Sequence, residues 1–172
     1  MKRLPESEHD LDLRKYRSSY LAYKRNPENN TADTQGCDES SIIGVLGFRE
    51  PQVYGIPFPD ELTIPEQEVA AQKVLILEAG YGYLPTAWGF GYGPESLKGL
   101  CEAFRKASHV WGPSFEKIYI RAIIGPTNLR SVRVVEKAGF IKRGLHVWDG
   151  EHVFIGGAMQ PPEVLVYSYG PF

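Results

Sequence analysis

Cysteine is scarce in this 172-residue chain, with Cys37 and Cys101 the two examples, so no disulfide framework staples the fold. Cys37 lies in a polar stretch and Cys101 in an apolar helical pattern, which favours two reduced thiols over a bridge. The four histidines (His9, His109, His146, His152) and the cysteines show neither CxxC nor HExxH spacing, and no metal site is expected. No apolar run nears the roughly 18 residues of a membrane-crossing helix. The opening MKRLPESEHDLD lacks the apolar centre of a signal peptide. An excess of one charge is missing too: 19 Lys and Arg against 21 Asp and Glu leave a net charge of -2, no electrostatic footprint for nucleic acid. The expectation is a cytoplasmic protein, monomer or homodimer, with no nucleic-acid or membrane partner.

What is present is an ordinary globular composition, 42% apolar and 23% charged, in a chain of one-domain length able to bury its own core. Residues 1–41 read as an abbreviated polar N-terminal region. Within it, Leu13, Tyr16, Tyr20 and Tyr23 stand at helical spacing, so one helix is predicted over Leu11 to Arg25, stopped by Asn26-Pro27. Ser41 to Phe48, a short apolar run rich in branched residues, reads as a strand. Residues 50–72 hold four prolines (Pro51, Pro57, Pro59, Pro65) and read as an irregular surface insertion. Strands follow over Val74–Leu84, Lys117–Ile124, Phe140–Trp148 and Val164–Tyr169. Helices follow over Pro94–Ala107, with a stripe of Leu97, Leu100, Cys101 and Phe104, and over Thr127–Ala138. The second is capped by Thr127 or Asn128 and closed by Gly139. A loop with Gly156-Gly157 and Pro161-Pro162 joins the last two strands. The order predicts a single α/β (α+β) domain with a mixed sheet.

Between a strand ending at Leu84 and a helix starting at Pro94 lies Trp88-Gly89-Phe90-Gly91-Tyr92-Gly93. Glycines let a backbone approach a ligand closely. The first N–H groups of the following helix, together with its dipole, favour an anion such as a phosphate. The spacing is neither a P-loop nor the GxGxxG of dinucleotide-binding folds, and no kinase motifs follow.

The run Glu78 to Leu97 (EAGYGYLPTAWGFGYGPESL) resembles the acyl-CoA-binding motif of the GNAT superfamily of N-acetyltransferases. It is most similar to the branch of ribosomal-protein N-terminal acetyltransferases of the RimJ/RimL type. Downstream, Asn128 to Phe140 fits that branch's N-x-x-S-x-x-V-x-E-K-x-G-F signature through Asn128, Ser131, Val134, Glu136, Lys137, Gly139 and Phe140. The resemblance spans residues 42–169. It implies a GNAT-like fold, a mostly antiparallel mixed sheet flanked by helices with a splayed strand pair at the cofactor site, and acetyl-CoA as cofactor. It further implies that Tyr83, Leu84, Trp88, Gly89, Phe90, Gly91, Tyr92, Gly93, Asn128, Ser131 and Lys137 bind the cofactor. Amides of Gly89 to Gly93 would hold its pyrophosphate, Asn128 its pantetheine arm, and Ser131 would sit near the sulfur. Two positions depart from the wider superfamily: Thr86 replaces the usual Gln or Arg, and Val135 stands where a tyrosine often protonates the leaving thiolate.

Acetyl transfer requires an amine to lose a proton and a thiolate to be stabilised. Glu78, a lone carboxylate in an apolar strand where desolvation favours proton uptake, is the expected base. Ser131 is the expected donor to sulfur, and His146 is a second candidate base. The expected function is transfer of acetyl from acetyl-CoA to a primary amine of a small molecule or a protein N-terminus. A non-catalytic acyl-CoA-binding or regulatory protein of the same fold is the alternative, and retained binding without turnover would mark it. A ligand-free interaction domain would bind no CoA species at all.

Overall fold

The computed structural model describes residues 18–24, 42–51, 58–59, 62–64, 73–107, 115–155 and 157–171. Six strands form one sheet: β1 (Ser18–Tyr23), β2 (Ile42–Arg49), β3 (Val74–Tyr83), β4 (Lys117–Ile124), β5 (Ile141–Val147) and β8 (Glu163–Tyr169), in the order β1-β2-β3-β4-β8-β5. The pairing of β3 with β4 is parallel and the others are antiparallel. A separate hairpin joins β6 (Val153–Ile155) to β7 (Ala158–Gln160). Two helices, α1 (Tyr92–Lys106) and α2 (Leu129–Ala138), complete the described elements.

Four expectations are corrected. The helix over Leu11 to Arg25 is, at Ser18–Tyr23, strand β1, while residues 11–17 and 25 lie outside those described. Tyrosine favours strands, and β2 offers a ladder that local helical spacing cannot match: Ser18 faces Phe48 and Leu21 faces Val45. Gly47 allows the approach, because a Cβ there would run into the Ser18 carbonyl. The Pro-rich insertion is not confined to the surface, since Thr63 and Ile64 are buried and Phe58 and Leu62 pack on Trp148, Val164 and Val166. The loop before β8 contains the β6–β7 hairpin, which the turn at Gly157 (φ 83°) reverses. Finally α1 begins at Tyr92, two residues before Pro94, with Gly91 as its N-cap.

The core divides by strand alternation. On one face, Leu75, Leu77, Ile118, Ile120 and Ala122 pack against Leu97, Cys101 and Phe104 of α1 and Val135 and Ala138 of α2. Leu129, the first residue of α2, is exposed. The opposite face lies under Phe58, Leu62 and the hairpin. Glu78 and Arg121 belong to it, out of phase with the helix-facing residues of their strands.

Candidate active site

The cleft follows from strand registry. β3 and β4 pair from Val74↔Lys117 to Glu78↔Arg121 and then part. Beyond that point β3 stays on β2 and β4 stays on β8, leaving one edge of residues 79–83 facing a gap. A cavity of about 160 Å3 occupies it, walled by Glu78, Gly80, Tyr81, Gly125, Asn128 and Ser131, with Arg49, Ile155 and Gln160 on the far side.

Asn128 and Ser131 meet here because α2 starts here. Asn128 is the N-cap, its Oδ1 accepting from Ser131 N at 3.1 Å, which leaves the side-chain amide N–H groups for another acceptor. Tyr81 donates from its hydroxyl to the Ser131 carbonyl at 3.3 Å, tying β3 to α2 across the gap. Burial pushes the Tyr81 phenol up to about 12, so it keeps its proton at neutral pH. Ser96 bonds back to its own helix at Tyr92 O (2.6 Å). Ser131 Oγ has no such bond among the described residues.

Glu78 is buried, 5% exposed, but it is not alone. Arg49 Nη2 lies 3.0 Å from its Oε1 and Arg121 Nη2 3.3 Å from its Oε2. The lone-carboxylate premise therefore fails: neither arginine stands near Glu78 in sequence, and only the sheet brings them together. Arg121 is itself buried and stacks its guanidinium on Phe58 at 4.4 Å. His146 sits on β5 between Phe58 and Trp148 and lines neither this cavity nor the groove below. Val135 is fully buried in the core, so that position does not face the cleft.

From the cavity the backbone runs into the glycine turn. Leu84 enters a short 3-10 turn, Pro85–Ala87, and Trp88 returns its indole N–H to Tyr83 O at 2.9 Å. Gly89 (φ 87°) and Gly91 (φ 84°) adopt the left-handed region that side chains disfavour. The first helical bond of α1 is Glu95 N to Gly91 O (3.2 Å), so the N–H groups of Tyr92 and Gly93 precede the ladder and are available to a ligand. A groove of about 500 Å3 opens there, lined by Tyr83, Trp88, Gly89, Gly91, Tyr92, Gly93 and, from α2, Arg130, Arg133 and Lys137. Burial raises the Tyr83 phenol, and its hydroxyl lies 2.6 Å from Ser96 Oγ, so its polar end serves to pin β3 to α1. Leu84 and Phe90 are exposed and do not line the groove; Phe90 stacks on Tyr92.

Sequence reading missed Arg130 and Arg133, whose spacing with Lys137 (i, i+3, i+7) places three cations on one helix face. Arg130 rests on the Trp88 ring at 4.4 Å. The residues fit a long anionic thioester. A Cβ at Gly80, Gly82, Gly89 or Gly91 would meet nothing within 4 Å, so there is open space beside the backbone at these four positions, and Arg130, Arg133 and Lys137 line the groove at the turn.

The model of the acetyltransferase (GNAT) domain family matches residues 4–141. The chain belongs to the GNAT acetyltransferase family. Solved structures agree in fold. RimL, the ribosomal L7/L12 alpha-N-protein acetyltransferase in complex with coenzyme A, superposes with a TM-score of 0.52 at 17% identity, over 92% of this chain and 64% of its own. The aminoglycoside acetyltransferase AAC(6')-Ib with coenzyme A and kanamycin gives 0.50 at 17%, over 94% and 70%. The ribosomal-protein-S5-alanine acetyltransferase from Vibrio fischeri gives 0.48 at 19%, over 75% and 54%, so this GNAT chain spans little more than half of that protein. No curated protein matches it. The GNAT match stops at residue 141, so β5 beyond its first residue and all of β6, β7 and β8 fall outside it. Among the described residues no helix is long and apolar enough to cross a membrane, and no His/Cys/Asp/Glu cluster suits a metal.

Proposed function

We propose that this GNAT domain is an acetyl-CoA-dependent N-acetyltransferase acting on a primary amine, of a small molecule or a protein N-terminus. One observation carries the reading: β3 and α2 wall both the gap beside Glu78 and Ser131 and, further along the same two elements, the groove at the glycine turn with Arg130, Arg133 and Lys137. When bound, acetyl-CoA supplies an activated acyl carbonyl and a thiolate leaving group. The N–H groups of the turn and the cations of α2 bind and orient the diphosphate. The Asn128 amide holds the pantetheine arm and the edge of residues 79–83 aligns it. Ser131 Oγ would donate a hydrogen bond to the sulfur as the thioester C–S bond breaks, and Glu78 would take the proton that the amine gives up on forming the amide bond.

A second reading, an acyl-CoA-binding protein without turnover, is favoured by the Arg49–Glu78–Arg121 contacts: both carboxylate oxygens already accept from guanidinium groups, leaving less lone-pair capacity for an amine proton. Calorimetric titration with acetyl-CoA, followed by mass spectrometry of an amine panel, separates the two. One-to-one binding with an acetylated product supports the transferase. Binding without product on any amine supports the second reading. No binding by folded protein removes both.

A further inference from the structure

Strand registry lays out a track that leads away from Glu78 on its own face of the sheet. Arg49 faces Glu78, Gly47 faces Gly80 and Val45 faces Gly82, while on β1 Ser19 faces Gly47 and Leu21 faces Val45. Paired residues share one face, and every second residue of a strand returns to it, so all of these lie on the side that holds Glu78. From Glu78 to Gly82 the track runs about 13 Å. A hollow of about 250 Å3 takes in Ser19, Val45, Gly47 and Gly80, and it meets the 160 Å3 cavity at Arg49, Gly80 and Tyr81.

The two charged groups of the track stand together at one end, Arg49 Nη2 lying 3.0 Å from Glu78 Oε1. Past them come glycines, a serine and two aliphatic side chains. A glycine inside a strand weakens it and marks a place where another backbone or a ligand comes close. At Gly47 the neighbour is backbone, since a Cβ would run into the Ser18 carbonyl. At Gly80 and Gly82 a Cβ would meet nothing within 4 Å, so the space above them is open to a ligand. Val45 and Leu21 stand beside that space, 48% and 53% exposed. A second ammonium or a carboxylate carried as far as Val45 would shed water and meet no opposite charge among the described residues of the track there. A hydrocarbon chain would instead cover Val45 and Leu21, removing apolar surface from water on both sides.

We infer that the body of the acceptor beyond its amine is uncharged and apolar, and that it lies over Gly80 and Gly82 beside Val45 and Leu21. The inference rests on the transferase reading, with the amine at Glu78, and the shared chemistry is a primary amine on a hydrocarbon chain or at the start of a polypeptide whose first residues are apolar. The test measures amine binding to CoA-saturated protein by calorimetry and acetylation with acetyl-CoA by mass spectrometry. One arm compares heptylamine with 1,6-diaminohexane and 7-aminoheptanoate, which differ from it at the far end alone; the other compares Leu-Leu-Ala-amide with Asn-Asn-Ala-amide. In wild-type protein the apolar member of at least one arm should bind and react about tenfold or more better than its polar counterparts, the factor expected from burying about two methylene groups; the arm showing it identifies the source. Val45→Asp should reverse the order of heptylamine and 1,6-diaminohexane, mainly through KM, while Val45→Leu keeps it and neither changes acetyl-CoA affinity. A role for Val45 in folding alone would lower all acceptors together. Equal or absent binding within both arms, or a charged far end as the better ligand, overturns the inference even where product forms. Tighter binding of the apolar member with no product from any amine overturns the transferase reading and leaves the track assigned.

Discussion

Substitutions at Gly91 separate the two things a glycine does in the turn. Its φ of 84° costs a residue with a side chain about 1 kcal/mol. Space is no obstacle, because a Cβ there meets nothing within 4 Å. Gly91→Ala should therefore fold with a melting temperature lowered by about 2–4 °C, and with its backbone N–H groups in place it should bind acetyl-CoA within about twofold of wild type. Gly91→Glu carries the same strain and adds a carboxylate where the diphosphate would lie. At about 6 Å and an effective dielectric of about 20, each pair of like unit charges repels by about 3 kcal/mol. Salt screening and the neighbouring Arg133 and Lys137 offset part of that, leaving a net loss of about 10- to 100-fold in affinity. Titration calorimetry at low and high salt reads this directly, and the gap between the variants should narrow as salt rises. Equal affinities for Gly91→Glu and Gly91→Ala would refute the placement of the phosphates; a large loss in Gly91→Ala alone would mean that the turn's conformation, and not its potential, makes the site.

Arg133→Ala and Lys137→Ala should each weaken acetyl-CoA binding by about 3- to 10-fold and flatten its salt dependence, measured by the same titration. Removing one partner of the buried Glu78–Arg121 pair, as in Glu78→Gln, should cost about 3 kcal/mol, whereas Glu78→Gln with Arg121→Met should recover part of it; urea unfolding of the single and double variants gives the coupling, and additive losses would count against a buried pair. Glu78→Gln should also lower turnover while sparing acetyl-CoA affinity. Burial pushes the Cys101 thiol from 9.0 up to about 12. The unfolded chain thus releases that proton first, and stability falls as pH rises from about 9 toward 12. The decline in urea midpoint between about pH 9 and 10 should be shallower in Cys101→Ala, and the Cys101 thiol of a native Cys37→Ser variant should resist thiol reagents at pH 8.

The parts of the fold that were legible in sequence are those fixed locally. Asn128 as cap, Gly139 as stop and the stripe Leu97, Cys101, Phe104 each follow from a handful of neighbouring residues, and α2 matches its predicted span within two residues. The glycine turn was legible for the same reason. What was hidden depends on strand pairing. β1 looked helical because its pairing partner lies well beyond local reach in sequence, Tyr23 pairing with Ile42 and Ser18 with Phe48. Glu78 looked solitary because Arg49 and Arg121 reach it through β2 and β4. The stripe Arg130, Arg133, Lys137 was readable by spacing, yet its meaning required knowing that α2 lies alongside the turn.

The β6–β7 hairpin has a consequence for how this molecule can change. The proposed coenzyme groove is assembled from two segments inside the family match, Tyr83–Pro94 and Arg130–Lys137, whereas the proposed acceptor cavity also takes in Arg49 from β2 and Ile155 and Gln160 from a hairpin beyond that match. Gln160 fits against Gly125 so closely that a Cβ there would strike its side-chain amide, so the hairpin is seated against the cleft by one small residue. On the proposed function, the groove for the diphosphate owes nothing to the hairpin, which reaches the 160 Å3 cavity alone. If the proposed transferase reading holds, exchanging Val153–Gln160 for a hairpin of another shape should change which acceptors are admitted while the hold on the diphosphate stays as it was.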